Sequence, residues 1–250
     1  MTPPLLMTVS EDCIEPEKRT ALFVIHFLRR LPGKLNPRTS IQKMTQYTLL
    51  VIVWIAWCAL HSALVSLSLT EPLRKRFPDA SRYYRIVYNV VSVVTLLPVL
   101  LYTFSLRGTP IFSWQGPWRF VQMAMAVSAL IFFLAGARHY DFFQFLGLRQ
   151  LKDEKACSVL TDDCSLDTSG VLSLVRHPWY TGGILILWAR PLDTSAILTN
   201  FVLTGYFVVG TRLEERKLTA QFGKEYADYQ QRVSMFLPLK WMDRCLRKKV

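Results

Sequence analysis

An all-helical, polytopic membrane fold is what this sequence predicts, and two observations carry the prediction. Of its 250 residues, 51% are apolar and the mean hydropathy is +0.23, with the apolar residues gathered into runs that a soluble core would interrupt with charge. Residues 47–69, 86–106, 120–137 and 194–211 contain no charged residue, and about 20 residues of helix cross a hydrocarbon layer of ~30 Å. A fifth run, 177–189, holds 13 residues; at about 1.5 Å per residue it reaches roughly 20 Å, so it either thins the bilayer or enters and returns. The expectation is about five transmembrane helices, ending in a C-terminal helical hairpin and a cytosolic amphipathic helix.

Charge and cysteine content narrow the function. The net charge is +12, but 10 of the 30 basic residues follow residue 211, at the end of a span. Positive charge beside a span is accounted for by the cytosolic leaflet. No basic stripe interleaved with aromatics stands outside the apolar runs, which argues against nucleic acid as a partner. Cys13, Cys58, Cys157, Cys164 and Cys245 form no CxxC pair, so no metal site is expected. Cys157 and Cys164 share one loop, assigned below to the cytosol, where thiols stay reduced.

Residues 1–46 carry seven Lys or Arg, four acidic residues and one apolar patch, ALFVIHFL at 21–28, which is too short to span and has no signal-peptide cleavage site. Met44 stands directly before the first span. We therefore read 1–46 as a basic extension, dispensable if the functional protein starts at Met44, and 47–250 as the membrane domain. Loop 70–85 has five basic residues, loop 107–119 two, loop 138–176 five and the tail 212–250 ten. Counting Lys and Arg places the first and third loops and the C-terminus in the cytosol. Five passes then put the N-terminus outside, against the seven basic residues ahead of the first span; a start at Met44 removes that conflict.

Two residues inside the spans need a reading. His61, in CALHSALVS, has no partner visible in the sequence; such a histidine is a hydrogen-bonded packing residue or, as an intramembrane ionisable group, a functional one. Pro98 can kink the second span, which membrane helices tolerate. Beyond the third span, RHYDFFQFLGLRQL is aromatic and mixed in charge, and reads as an interfacial segment.

The chemistry concentrates in 170–238, around RHPWYTGG. Pro178 suits a first helical position because its missing N–H would be an orphan there, which sets Arg176 and His177 at a helix N-terminus. That end favours anions. Glu214 and Glu215 follow the next apolar run and belong at its edge, since carboxylates are costly in hydrocarbon. If 178–211 is a hairpin, its two ends lie side by side, and cations and backbone amides face carboxylates across one cleft suited to a zwitterionic ligand. Glu215, Leu218, Phe222, Tyr226, Tyr229 and Val233 fall at steps of three and four, on one face of a helix. Alone, this face reads as an amphipathic helix on the membrane, anchored by tyrosines.

RHPWY, an apolar hairpin, then EERKL, FGKEY, ADY, Val233 and Pro238 resemble the isoprenylcysteine carboxyl methyltransferase superfamily of membrane methyltransferases. LHSALV, FFQFLGLRQL and RLEERKL look most like its methanethiol S-methyltransferase branch. The resemblance implies S-adenosylmethionine bound at the cytosolic mouth of the hairpin, without metal. It implies that His177 and Tyr180 contact the cofactor, that amides from Pro178 to Gly182 take its carboxylate, and that Glu215 holds its amine or ribose. Arg176 would orient the acceptor or the motif itself. The family usually has an aromatic where Leu172 stands, two residues after Gly170, so no stacking contact is expected from that position.

The acceptor stays open between a small thiol and a lipid-like one, such as a prenylated cysteine carboxylate. A carboxylate needs no base, whereas a thiol must be ionised. Two further readings are a reductase of the sterol-reductase type using NADPH, against which the small number of spans counts, and a non-catalytic membrane accessory protein that keeps the hairpin for packing. Oligomeric state leaves no mark in the sequence, and the surrounding partner is membrane lipid.

Overall fold

The computed structural model describes residues 37–77, 82–139, 146 and 166–247. The patch at 21–28, most of RHYDFFQFLGLRQL and the loop carrying Cys157 and Cys164 lie outside the described residues. The chain divides into units 1–45 and 46–250. The first contributes the opening turns of the first helix, and the second holds every other described element.

Among the described residues there are eight α-helices and only isolated β-bridges. Helix α1 is Pro37–Val65, α2 Leu67–Arg76, α3 Tyr84–Ser105, α4 Trp118–Ala137, α5 Pro178–Trp188, α6 Thr194–Phe222, α7 Lys224–Arg232 and α8 Leu239–Arg247. Four have the length and apolarity to cross a membrane: Ser40–Val65 within α1, then α3, α4 and α6. Runs 120–137 and 194–211 lie wholly inside their helices, run 86–106 does so but for its last residue, and run 47–69 continues four residues past the end of α1. Helix α1 starts ten residues ahead of its run, at a proline whose missing N–H costs nothing in a first turn. Pro98 lies inside α3 without ending it. The fifth run is α5, whose 11 residues amount to about 16 Å, short of a full crossing.

The spans turn large apolar side chains outward: Leu101, Phe120 and Leu134 are 69%, 76% and 62% exposed. In water such a surface would cost too much; in hydrocarbon it costs nothing. What the spans bury combines a few apolar residues with small or polar ones, Ser92, Thr103 and Ala129 among them. Leu50, Trp54 and Val99 join α1 to α3, and the Trp54 indole donates to Thr103 Oγ1 at 3.0 Å, so a polar atom inside the bundle finds its partner within it.

Helix α5 is seated against α4 through glycines. A Cβ on Gly182 would lie 3.1 Å from the Ala129 carbonyl oxygen and 3.2 Å from the Phe133 ring. The hairpin turn is pinned at its other end: Asp193 caps α6 by accepting from the Ala196 amide at 2.7 Å, while Leu192 exchanges backbone hydrogen bonds with Phe112 of the α3–α4 connection.

The amphipathic stretch is present but in two pieces. Helix α6 runs from the apolar hairpin arm straight through Glu214, Glu215 and Leu218 to Phe222. Gly223 then takes φ +54°, a conformation open to glycine and costly for other residues, and α7 begins. Leu218, Tyr226, Tyr229 and Val233 pack into one buried cluster with Phe222 and Leu166. The tyrosines therefore face protein, where the face read alone had them on a membrane surface; the kink folds α7 back so that both halves of the face meet.

Because the space beside Gly182 is bounded by backbone, Gly182→Val cannot be accommodated by a side-chain rotation. We expect it to cost about 1–3 kcal/mol through overpacking, seen as a lowered unfolding temperature of the purified protein in detergent.

Candidate active site

The segment 175–177 runs beside 234–236. The Arg176 amide donates to Ser234 O at 2.9 Å and the His177 amide to Met235 O at 3.2 Å, and the Thr181 hydroxyl reaches Phe236 O at 3.1 Å. His177 caps α5, with Pro178 at the first helical position. These contacts, together with α5 and α6 returning as a hairpin, bring Arg176 and His177 against Glu215.

Glu215 is the centre of the arrangement and only 6% exposed. Its Oε1 accepts from Arg176 Nε at 2.7 Å and from His177 Nε2 at 3.0 Å; its Oε2 accepts from Gln230 Nε2 at 2.9 Å. Arg176 Nη1 goes on to the carbonyls of Gln230, at 3.1 Å, and of Val233. Those carbonyls end α7, where intrahelical donors have run out and a cation is favoured. One guanidinium thus ties the motif to α6 and to α7. Of the two roles the resemblance allowed Arg176, orienting the motif itself is the one its contacts serve.

A carboxylate has about four lone-pair sites, so Oε1 is saturated and Oε2 has room for one more donor. The His177 ring is 3% exposed and stands 5.8 Å from the Tyr180 ring and 6.5 Å from Phe236, centre to centre. Tyr180 continues to Phe207 at 5.6 Å. A Cβ on Gly183 would approach that phenylalanine ring to 3.1 Å, so glycine there lets the hairpin arms close on their aromatics. Gly182, grouped by motif with the ligand-binding positions, spends its missing side chain on contact with α4.

Gln230 and Asp167 were not singled out from sequence, and Glu214 was read only as a carboxylate at the edge of the run. Gln230 sits one turn after Tyr226 on the face already identified, which was the available signal. Glu214 Oε2 is 3.9 Å from His177 Nδ1, nearer than its position on the helix suggested. Leu172 is buried and offers no ring, but its carbonyl accepts from the Tyr229 hydroxyl at 2.6 Å. Burial pushes the Tyr229 phenol well above its ordinary pKa, so it remains a donor. Ahead of the motif, His139 Nδ1 meets Asp167 Oδ2 at 2.6 Å. Partial burial pushes the Asp167 carboxyl up, but the Ser169 amide and His139 together bring it below the usual range. Gly170, at φ +52°, closes this corner: a Cβ there would stand 2.7 Å from His139 Nε2. Among the described residues no cluster of three or more His, Cys, Asp or Glu could hold a metal. A cavity of about 520 Å³ against Gln122, Met123, Ile186 and Arg190 lies at the other end of α5 and is separate from this site.

The profile described as NnrU protein matches residues 34–238. The chain belongs to the NnrU family. This family member is similar to a methanethiol S-methyltransferase of a Pseudomonas species, with 26% identity over 88% of this chain and 84% of the relative. It is 30% identical to methanethiol S-methyltransferase 2 of Bradyrhizobium diazoefficiens over 62% of this chain and 59% of that one. A probable protein-S-isoprenylcysteine O-methyltransferase of Oryza sativa subsp. indica is 37% identical over 31% and 42%. These names are those of the superfamily and branch that the motif residues resemble. No solved structure matches.

Arg176 and Glu215 are 7% and 8% exposed in their side chains, so removing either strands the other's charge. Glu215→Ala is expected to cost about 3–5 kcal/mol, measurable as lost thermal stability without any ligand, whereas Gln230→Ala, which leaves the pair intact, should cost less, about 1.5–3 kcal/mol, the range for a hydrogen bond to a charged group.

Proposed function

We infer that this NnrU-family chain is an integral-membrane methyltransferase that uses S-adenosylmethionine to methylate a small thiol, such as methanethiol, on sulfur. The observation that carries this reading is the buried Glu215 carboxylate, held beside His177 at the hairpin mouth with one acceptor position left. The Pseudomonas relative, matched over most of both chains, supplies the activity by its name.

The residues present fit the cofactor. Its ammonium is the donor that Glu215 Oε2 can still accept, and charge-assisted bonds of that kind are the stronger ones. Its carboxylate suits the α5 N-terminus from Pro178 to Gly182. Its sulfonium suits the faces of Tyr180 and Phe207, since aromatic faces attract cations. When bound, the cofactor supplies an electrophilic methyl group. The chain's part is to orient and to dry the site. Arg176 keeps Glu215 ionised and in place, His177 fixes one edge of the cleft, and the aromatics exclude water. Proximity and orientation of this kind contribute as much as about 7–11 kcal/mol.

The same reading sets the site at the cytosolic boundary. Loop and tail charges favour that side, and α8 has the pattern of an interfacial helix, with exposed Leu239, Met242 and Leu246 on one face and Lys240, Arg244 and Arg247 elsewhere. Residues 1–43 are dispensable on this view. An impermeant thiol reagent applied to intact cells should leave Cys157 unlabelled, and a chain starting at Met44 should keep its activity; efficient labelling or lost activity would reverse the respective assignment.

Isothermal titration of the purified protein should detect S-adenosylmethionine and not NADPH, the opposite result favouring a reductase and no binding of either an accessory role. Methyl transfer to methanethiol should rise from pH 6 to 9 as the thiol ionises, because a thiol such as cysteine has a pKa of about 8.5. Transfer to a farnesyl-cysteine analogue alone, with a flat profile, would assign the acceptor as a carboxylate.

A further inference from the structure

The spans contain a second polar centre that the motif does not include. His61 on α1 is met by α3 and α6 together. Tyr88 Oη lies 2.6 Å from His61 Nε2 and 3.2 Å from Nδ1, and His61 Nδ1 lies 3.1 Å from Ser92 Oγ. The imidazole stacks on Trp57 with ring centres 5.1 Å apart and stands edge-on to Tyr206 of α6 at 6.3 Å. Ser62, the next residue, donates to the Tyr206 hydroxyl at 3.2 Å, and the Trp57 indole holds the Ser92 carbonyl at 3.3 Å. Three of the four span-length helices thus converge on one ionisable side chain, against the sequence reading that it lacks an evident partner.

The centre is connected to the active-site candidate by aromatic rings. Tyr206 is 6.1 Å from Phe207, Phe207 is 5.6 Å from Tyr180, and Tyr180 is 5.8 Å from His177. Tyr206 and Glu215 are nine residues apart on one helix, about 13 Å along its axis. The rings form a continuous series of aromatic contacts between the two polar centres. The ionisable groups around the imidazole are Tyr88 on α3, with Arg85 and Tyr84 beside it, Tyr206 on α6, and Cys58 on α1 itself. No carboxylate falls in the charge-free runs that carry His61, Tyr88 and Tyr206, so nothing among the described groups holds the imidazole as a cation, and the neutral ring is a base.

We propose that His61 and Tyr88 form the acceptor end of the site and remove the proton of an apolar thiol that enters from the bilayer. The S–H bond breaks as its proton passes to the Tyr88 oxygen, and the Tyr88 proton passes to His61 Nε2. The thiol sulfur keeps the electron pair with which it would bond to the methyl carbon, while the methyl's bond to the donor sulfonium would break with its pair staying on the donor sulfur as a neutral thioether. The step uses the tautomer with its hydrogen on Nδ1, which Ser92 Oγ at 3.1 Å can accept, so that Nε2 takes the proton. His61 is four residues from the end of α1 at Val65, and its extra proton leaves toward that end of the helix. This assignment rests on the thiol reading above and gives it a base, which Glu215, committed to Arg176, His177 and Gln230, is badly placed to be.

The test compares acceptors that differ in how far they are already ionised. In the full chain in nanodiscs, His61→Asn and Tyr88→Phe should each lower transfer to ethanethiol about 100-fold or more, the usual scale of general-base catalysis. Transfer to thiophenol at a pH above its own pKa should stay within about threefold, since no base is needed there. S-adenosylmethionine affinity, by titration calorimetry, should not change. A readout without the donor accompanies this: thiophenol added below its own pKa should show thiolate absorbance when bound to the wild type and lose it with either variant. An equal fall with both acceptors means that the cluster only packs, and no fall with either means that the base is elsewhere; each overturns the proposal. If His61→Asn does not fold, Tyr88→Phe carries the same comparison. Failure of the wild type to bind S-adenosylmethionine would sink the methyltransferase reading, while the donor-free absorbance would still judge the His61 assignment separately.

Discussion

One carboxylate taken out of water organises the C-terminal half of the chain. Burying Glu215 is tolerable only because Arg176, His177 and Gln230 saturate three of its acceptor positions, and Arg176 is itself tolerable there because α7 ends in carbonyls that need donors. Neither charge can leave without stranding the other. Such a pair contributes little net stability compared with apolar packing, and its better-supported use is to specify one arrangement. Here the arrangement it specifies is the register of the motif segment against α6 and α7.

The spans follow a different rule. Their exteriors are apolar, so association between them cannot rest on hydrophobic burial and instead uses close packing and internal hydrogen bonds. Gly182 lets α5 approach the backbone of α4, and Gly183 lets it approach the Phe207 ring of α6. Trp54 with Thr103, and His61 with Tyr88, Ser92 and Trp57, supply the polar contacts. The Glu215 centre and the His61 centre are thus two solutions to one constraint, that polar atoms inside a bundle be paired there. The first uses charges at the bundle's edge; the second uses neutral groups within it.

Much was legible because single residues carried strong local meaning. Four runs without a charge could be little other than spans. Pro178 marked a helix start on account of its missing N–H, and the spacing from Glu215 to Val233 marked one buried face. Gly223 was legible in principle as a helix stop, yet the uninterrupted three-and-four periodicity across it argued for a continuous helix. The two pieces keep that periodicity because α7 folds back onto the cluster that α6 begins.

By itself, the sequence determined where hydrocarbon-compatible helices run, which face of the tail is apolar, and that cations and carboxylates stand at the two ends of one hairpin. These are properties of short windows, set by spacing, backbone hydrogen bonding and the cost of charge in an apolar medium. Only the tertiary structure decided who pairs with whom. Gln230 is 15 residues from Glu215, Ser234 is 58 from Arg176, and Tyr206 is 145 from His61; no local pattern links such positions. A buried polar group needs a partner, but the need does not say from which helix the partner comes, and that choice is made when the helices pack.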